Sequence, residues 1–205
     1  MALRISKAIL AFFAIIVGLY PAIYFIVQER TFGLLSTKSS ELLANTLWNI
    51  GFYTHIIFGG IALLVGWMQF NKKLLQKKSS LHRFIGKIYV VSVLLSALAG
   101  IGIGFTATGG WIASVGFIGL GTVWFTTTWQ AYVKIRALQI EAHRRLMVYS
   151  YAACFAAVTL RIWLPLLMII LGDYIVAYIV VSWLCWVPNL IVAYYIIKRL
   201  RPYQV

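Results

Sequence analysis

Apolar residues run through this chain in stretches of about twenty or more, and the polar residues collect in the gaps between them. Such runs are too long for a soluble core and about twice the length of a membrane barrel strand. In hydrocarbon each backbone N–H and C=O must bond within its own segment, so every run predicts a transmembrane helix. Six follow: roughly Ile5 to Val27, Leu47 to Phe70, Phe84 to Phe105, Trp111 to Val133, Val148 to Ile170 and Ile175 to Ile197. At the helical rise each spans about 33–36 Å, enough to cross a bilayer with some tilt. The predicted fold class is therefore all-α, an integral membrane helical bundle forming a single transmembrane domain over residues 1–205.

The linkers sharpen this picture. The third loop is essentially Thr106 to Gly110 and the fifth Gly172 to Tyr174, which makes helices three and four, and five and six, antiparallel neighbours. The first outer loop is longer. Its Thr31 to Thr46 stretch carries Leu34, Leu35, Leu42 and Leu43 among polar residues, a pattern for a short interfacial helix lidding the outer face. Arg4 and Lys7 precede the first run as in a signal peptide, but its length and the lack of an Ala-x-Ala-type cleavage site predict a retained helix.

Composition agrees. With 62% hydrophobic residues, a mean hydropathy of +0.91 and only 11% charged residues, the chain has too little polar surface to cover a globule in water. Eighteen Lys and Arg oppose four acids. All but Arg30, Lys38 and Arg161 fall at the N-terminus, in the second and fourth loops with their edges, or in the tail. That asymmetry predicts both termini in the cytoplasm and a multi-pass protein of the cell inner (plasma) membrane. Glu29, Glu41 and Asp173 then lie on the outer side. The net charge of +14 is explained by topology and by anionic lipid headgroups rather than by nucleic acid.

Several chemistries are excluded. The acids are too sparse and peripheral for a hydrolase triad, and neither a phosphate-cradling Gly-Lys-Ser/Thr loop nor H-E-x-x-H occurs. Cys154 and Cys185 lie inside spans without C-x-x-C spacing and read as small packing residues. The Gly100/Gly104 pair, Gly116, Gly119 and Gly121, and the Ala152/Ala156 and Ala153/Ala157 pairs predict close helix approach. The same space would also admit a flat ligand.

Three histidines and one arginine remain. His55 and His82 each precede a glycine by four residues, Gly59 and Gly86, which places bare backbone one turn away on the same face, the clearance a planar macrocycle needs beside its axial ligand. His82 and His143 lie at the cytoplasmic starts of helices three and five, where they are candidates to share one iron or, alternatively, to anchor phosphates through His-Arg and His-Arg-Arg. His55 lies about 12 Å deep from the outer end and does not share a metal with that pair. It is either a neutral imidazole bonded to a neighbour or a ligand or proton-transfer group. Arg161 lies about 14 Å from the outer boundary and needs an anion, a wet cavity or carbonyl partners. Its protein counter-ions would be Asp173, Glu29 or Glu41, and otherwise a ligand carboxylate or lipid phosphate. Pro165 deprives the Arg161 carbonyl of its hydrogen bond and predicts a kink.

The motifs His55-x-x-x-Gly59, Gly66-x-x-Gln69-Phe70, Leu81-His82-Arg83-x-x-Gly86-Lys87, Trp124-x-x-Thr127-Thr128, His143-Arg144-Arg145 and Ala156-Ala157-Val158-Thr159-Leu160-Arg161 resemble, in order, an uncharacterised family of predicted bacterial membrane proteins classed as a domain of unknown function. The resemblance covers a core of about residues 47–165 and marks His55, His82, His143 and Arg161. A looser architectural similarity links the four-helix core to transmembrane b-type cytochromes, although His55 has no histidine partner at its own depth. That similarity implies a small redox protein with haem b between His82 and His143 and a quinone or anionic partner at His55 and Arg161. The alternatives are a non-redox transporter or lipid- or anion-binding protein, with Arg161 capturing the anion and His55 exchanging a proton, or an accessory subunit. Homo-oligomers and membrane complexes are compatible with each.

Overall fold

The structure is a computed structural model that describes residues 2–27 and 33–200, with side chains for residues 8–27, 33–71 and 73–200. Glu29, Arg30, Thr31 and Arg201, used in the charge and loop arguments, lie outside the described residues, as do the side chains of Arg4 and Lys7. Among the described residues all regular structure is helical, and six segments are long and apolar enough to cross a membrane: Ala8–Ile26, Thr46–Phe70, Ser79–Gly104, Gly110–Arg136, Ile140–Leu171 and Tyr174–Lys198. The chain forms two compact units, Met1–Ile103 and Gly104–Val205.

In the first unit α1 (Ala2–Leu19) passes through a 3-10 turn at Tyr20–Ala22 into α2 (Ile23–Ile26). The tightening falls at Pro21, which lacks the N–H an α-helix would use there. The loop before α4 condenses into a 3-10 turn, Gly33–Thr37, and α3 (Ser40–Ala44), capped by Ser39. This is the short helical lid expected there. It exists because Leu35 buries against Trp48 and Phe52, whose rings stack at 5.3 Å, while Leu34, Leu42 and Leu43 close around them. Asn45 caps α4 (Thr46–Gly66) by accepting from Trp48 N at 3.0 Å. A 3-10 turn, Trp67–Phe70, and α5 (Lys72–Lys77) lead to α6 (Ser79–Gly104).

α1 and α4 touch through backbone. A Cβ on Gly60 would lie 2.6 Å from the Gly18 carbonyl oxygen, and one on Gly18 would lie 2.6 Å from Leu64 Cγ. In lipid no hydrophobic force presses helices together, so close approach of bare backbone supplies the attraction instead.

The second unit contains α7 (Gly110–Arg136), α8 (Ile140–Cys154), α9 (Ala156–Leu171), α10 (Tyr174–Leu184) and α11 (Val187–Lys198). α7 packs along α8, α9 beside α10, and α8 beside α11. The glycines of α7 act as expected, since a Cβ on Gly116 would lie 2.6 Å from Ser182 Oγ. Large apolar side chains such as Ile169, Ile170 and Trp111 point outward, as lipid-facing residues do. The two sulfhydryls, Cys154 and Cys185, are buried and free.

Three expectations need correction. α6 begins at Ser79 and α8 at Ile140, earlier than their apolar runs, because Lys, Arg and Glu are good helix formers and the helix continues where the hydrocarbon pattern stops. His82 and His143 thus stand in the first turns of α6 and α8, at the starts of their helices as expected. The fifth and sixth spans are each two helices, not one. The interruption of the fifth span falls at Phe155, and α9 continues as helix through Pro165. Finally, Asp173 does not serve Arg161: its carboxylate caps α10, accepting from Val176 N at 2.9 Å.

Candidate functional site

In the first unit α4 meets α6 at a reciprocal exchange of side chain for glycine. A Cβ on Gly100 would stand 2.7 Å from His55 Nδ1, so the imidazole lies where position 100 has no side chain. One turn away a Cβ on Gly59 would stand 3.0 Å from Ser96 Oγ. His55 therefore fills the gap at Gly100 while Ser96 fills the gap at Gly59. Bonds lock the crossing: Ser96 Oγ donates to the His55 carbonyl at 2.8 Å, and His55 Nδ1 lies 2.9 Å from the Ser96 carbonyl oxygen. A carbonyl only accepts, so Nδ1 carries hydrogen, and in the neutral ring the basic lone pair is on Nε2.

The second His-x-x-x-Gly motif shares one feature with the first. His82 is one turn before Gly86 on α6, and a Cβ on Gly86 would stand 3.4 Å from Gln69 Oε1. In both motifs the space beside the glycine holds a polar side chain of the neighbouring segment.

The second unit contains a seam of polar groups. Near the start of α8, His143 Nδ1 donates to the Ala131 carbonyl at 2.9 Å. One turn further along α7, Thr128 Oγ1 donates to the Trp124 carbonyl at 2.7 Å and lies 2.6 Å from Ser150 Oγ, so the Ser150 hydroxyl donates to Thr128. Both side chains are fully buried. The Trp124 indole N–H, buried on the same helix, has no hydrogen-bond partner among the described residues.

Beyond this level both broken spans meet. The ends of α8 and α10 release carbonyls that no following turn can satisfy, and Pro188, near the start of α11, brings no N–H. Asn189 from α11 supplies the donors. Its Nδ2 lies 2.9 Å from the Cys185 carbonyl, 3.3 Å from the Ala152 carbonyl and 3.1 Å from Thr159 Oγ1. The Thr159 hydroxyl itself donates to the Cys185 carbonyl. Two helix C-termini thereby converge on one amide, with the N-termini of α9 and α11 beginning next to them.

Arg161 follows Thr159 on α9. Its guanidinium is partly buried and reaches back one turn to donate to the Ala157 carbonyl at 2.8 Å. The direction follows from the tilt of helical side chains toward the N-terminus. Among the described residues the ion pair is Glu141 with Arg144, at 2.6 Å within α8.

The residues singled out from sequence thus divide: His55, Gly59, His82 and Gly86 stand in the first unit, His143 and Arg161 in the second. Ser96, Gln69, Thr128, Ser150 and Asn189 were missed as site residues. Serine, threonine and asparagine inside apolar runs were the available signal. No curated protein and no solved structure matches the chain. A family model does match residues 52–197, well over half of the chain and including every polar contact just described, and by that match this chain belongs to the family described as Predicted membrane protein (DUF2306).

Proposed function

We propose that this multi-pass membrane protein is a proton-coupled transporter or carrier of small anionic solutes without redox chemistry of its own. The observation that carries the reading is the meeting of two interrupted helices at Asn189, supported by the seam that leads to it. Interrupted helices inside a membrane persist where their freed backbone groups line a polar site, and unwound carbonyls are the groups that coordinate a coupling cation or proton at such breaks. His143 and the Thr128–Ser150 pair provide titratable and hydroxylic groups along the seam, Arg161 the fixed positive charge for the anion, and His55 a further proton-accepting imidazole. The charge asymmetry supports cytoplasmic termini and an inner-membrane location.

The b-type haem reading is favoured by one contact. A ring N–H donated to a carbonyl, as from His143 to Ala131, is what an iron-ligating imidazole makes with its other nitrogen. Against it, the glycine clearances beside His55 and His82 hold Ser96 and Gln69 rather than room for a macrocycle.

The test is proton flux into reconstituted vesicles containing a trapped pH-sensitive dye. Flux above protein-free vesicles is expected, with loss in Asn189→Leu and His143→Gln variants. Equal flux in all vesicles overturns the proposal, and a Soret band that shifts on dithionite reduction would restore the haem reading.

A further inference from the structure

Where the two interrupted spans meet, oxygen outnumbers hydrogen. The Asn189 amide nitrogen has two hydrogens, yet three oxygens stand within 3.3 Å of it: the Cys185 carbonyl, the Thr159 hydroxyl and the Ala152 carbonyl. The hydroxyl hydrogen of Thr159 is directed at the Cys185 carbonyl, which therefore takes two donors while the remaining oxygens share what is left. Asn189 Oδ1 is engaged in none of these bonds and is a fourth oxygen on the same side chain. A cluster of oxygen lone pairs with too few hydrogens is the composition of a cation site, and unwound carbonyls at broken membrane helices are the groups that coordinate one.

The ligand atoms narrow the ion. All are neutral oxygens, hard donors that suit alkali and alkaline-earth ions rather than transition metals. Among the described residues no group of His, Cys, Asp and Glu side chains could hold a metal. Asp173 caps α10 and Glu141 pairs with Arg144, so no carboxylate joins the cluster to favour a divalent ion. None of the four oxygens titrates near neutral pH, so a proton finds no base among them. The point they surround holds one NH2 group, which limits the ion to a small one. Asn189 and Thr159 are half-buried, which opens the cluster on one side.

We infer that the meeting point of the two interrupted spans binds a sodium ion through the carbonyls of Ala152 and Cys185, Thr159 Oγ1 and Asn189 Oδ1. The partly positive NH2 group of Asn189 and the ion compete for the same three oxygens, so binding turns the amide over and brings Oδ1 forward. The inference rests on the transporter reading only for the role of the ion in coupling: the break then takes sodium, and the histidine of the seam takes the proton.

The experiment uses the full chain in detergent, with radioactive sodium binding read by scintillation proximity and melting temperature read in sodium, potassium and choline chloride at equal ionic strength. Saturable sodium binding is expected, with a melting temperature higher in sodium than in choline chloride and a smaller rise in potassium. Thr159→Val keeps the shape of the side chain without its oxygen and is expected to bind sodium about tenfold more weakly, while Thr159→Ser retains binding. Asn189→Asp replaces the competing NH2 group with a carboxylate oxygen and is expected to bind sodium about tenfold more tightly. Should Thr159→Val fail to fold, the salt comparison on the parent and the Asn189→Asp affinity decide. Equal melting temperatures in the three salts without saturable sodium binding overturn the inference, and so does a sodium affinity unchanged in both Thr159→Val and Asn189→Asp. Sodium binding in a protein that gives no proton flux in vesicles leaves the site standing and removes the transporter reading; flux without sodium binding does the reverse.

Discussion

The imidazole of His55 rests against Gly100, so near that a methyl group there would stand 2.7 Å from Nδ1. Gly100→Ala is therefore expected to displace the ring from the Ser96 carbonyl and to cost about 1–3 kcal/mol through overpacking. Ser96→Ala removes the reciprocal hydroxyl without changing shape and is expected to cost about 1 kcal/mol. Nitrogen NMR of labelled His55 gives the direct check: a protonated Nδ1 signal in the parent protein that changes in Gly100→Ala.

Asn189 holds two released carbonyls and the Thr159 hydroxyl at once. Asn189→Leu leaves these acceptors short of donors in a place where water is scarce, and a loss of about 1–3 kcal/mol is expected. Unfolding in mixed micelles measures it. Stability equal to the parent would show that the broken helices do not depend on this amide.

Leu138 sits at φ 59° between α7 and α8, in the left-handed position that glycine usually occupies. Gln139 N to the Lys134 carbonyl at 2.9 Å and Leu138 N to the Ile135 carbonyl at 3.1 Å complete a Schellman motif around it. Since a left-handed L-residue costs about 1–2 kcal/mol, Leu138→Gly is expected to stabilise the protein by up to about 1 kcal/mol once added chain entropy is deducted. A higher melting temperature than the parent confirms the motif, and a lower one refutes it.

Lys38 lies between the two lid helices, and burial holds its ammonium below the ordinary value of 10.5. The folded chain then sheds this proton earlier than the unfolded chain, so stability rises with pH through the folded pKa and levels off above 10.5. Lys38→Met removes this contribution. The difference in melting temperature between Lys38→Met and parent is expected to shrink as pH rises across that window, and a constant difference would exclude the linkage.

Ser96 and Gln69 were not among the expected site residues, because the role of each depends on which glycine of another segment it faces. The break at Phe155 had no local signal, because Asn189, more than thirty residues away, satisfies the carbonyl at Ala152 that the break exposes. The lid was legible in its leucines, since their spacing alone demands a buried face.

The six spans and their lipid-facing character were determined by the sequence itself, because solvation in hydrocarbon is decided by runs of side chains and helices satisfy their own backbone. Tertiary structure alone decided that His55 is paired with Ser96 across Gly100 and that Asn189 joins the ends of α8 and α10. Those contacts depend on which faces of distant helices meet, and hydropathy, which sums over a run, contains no term for the direction in which one side chain points.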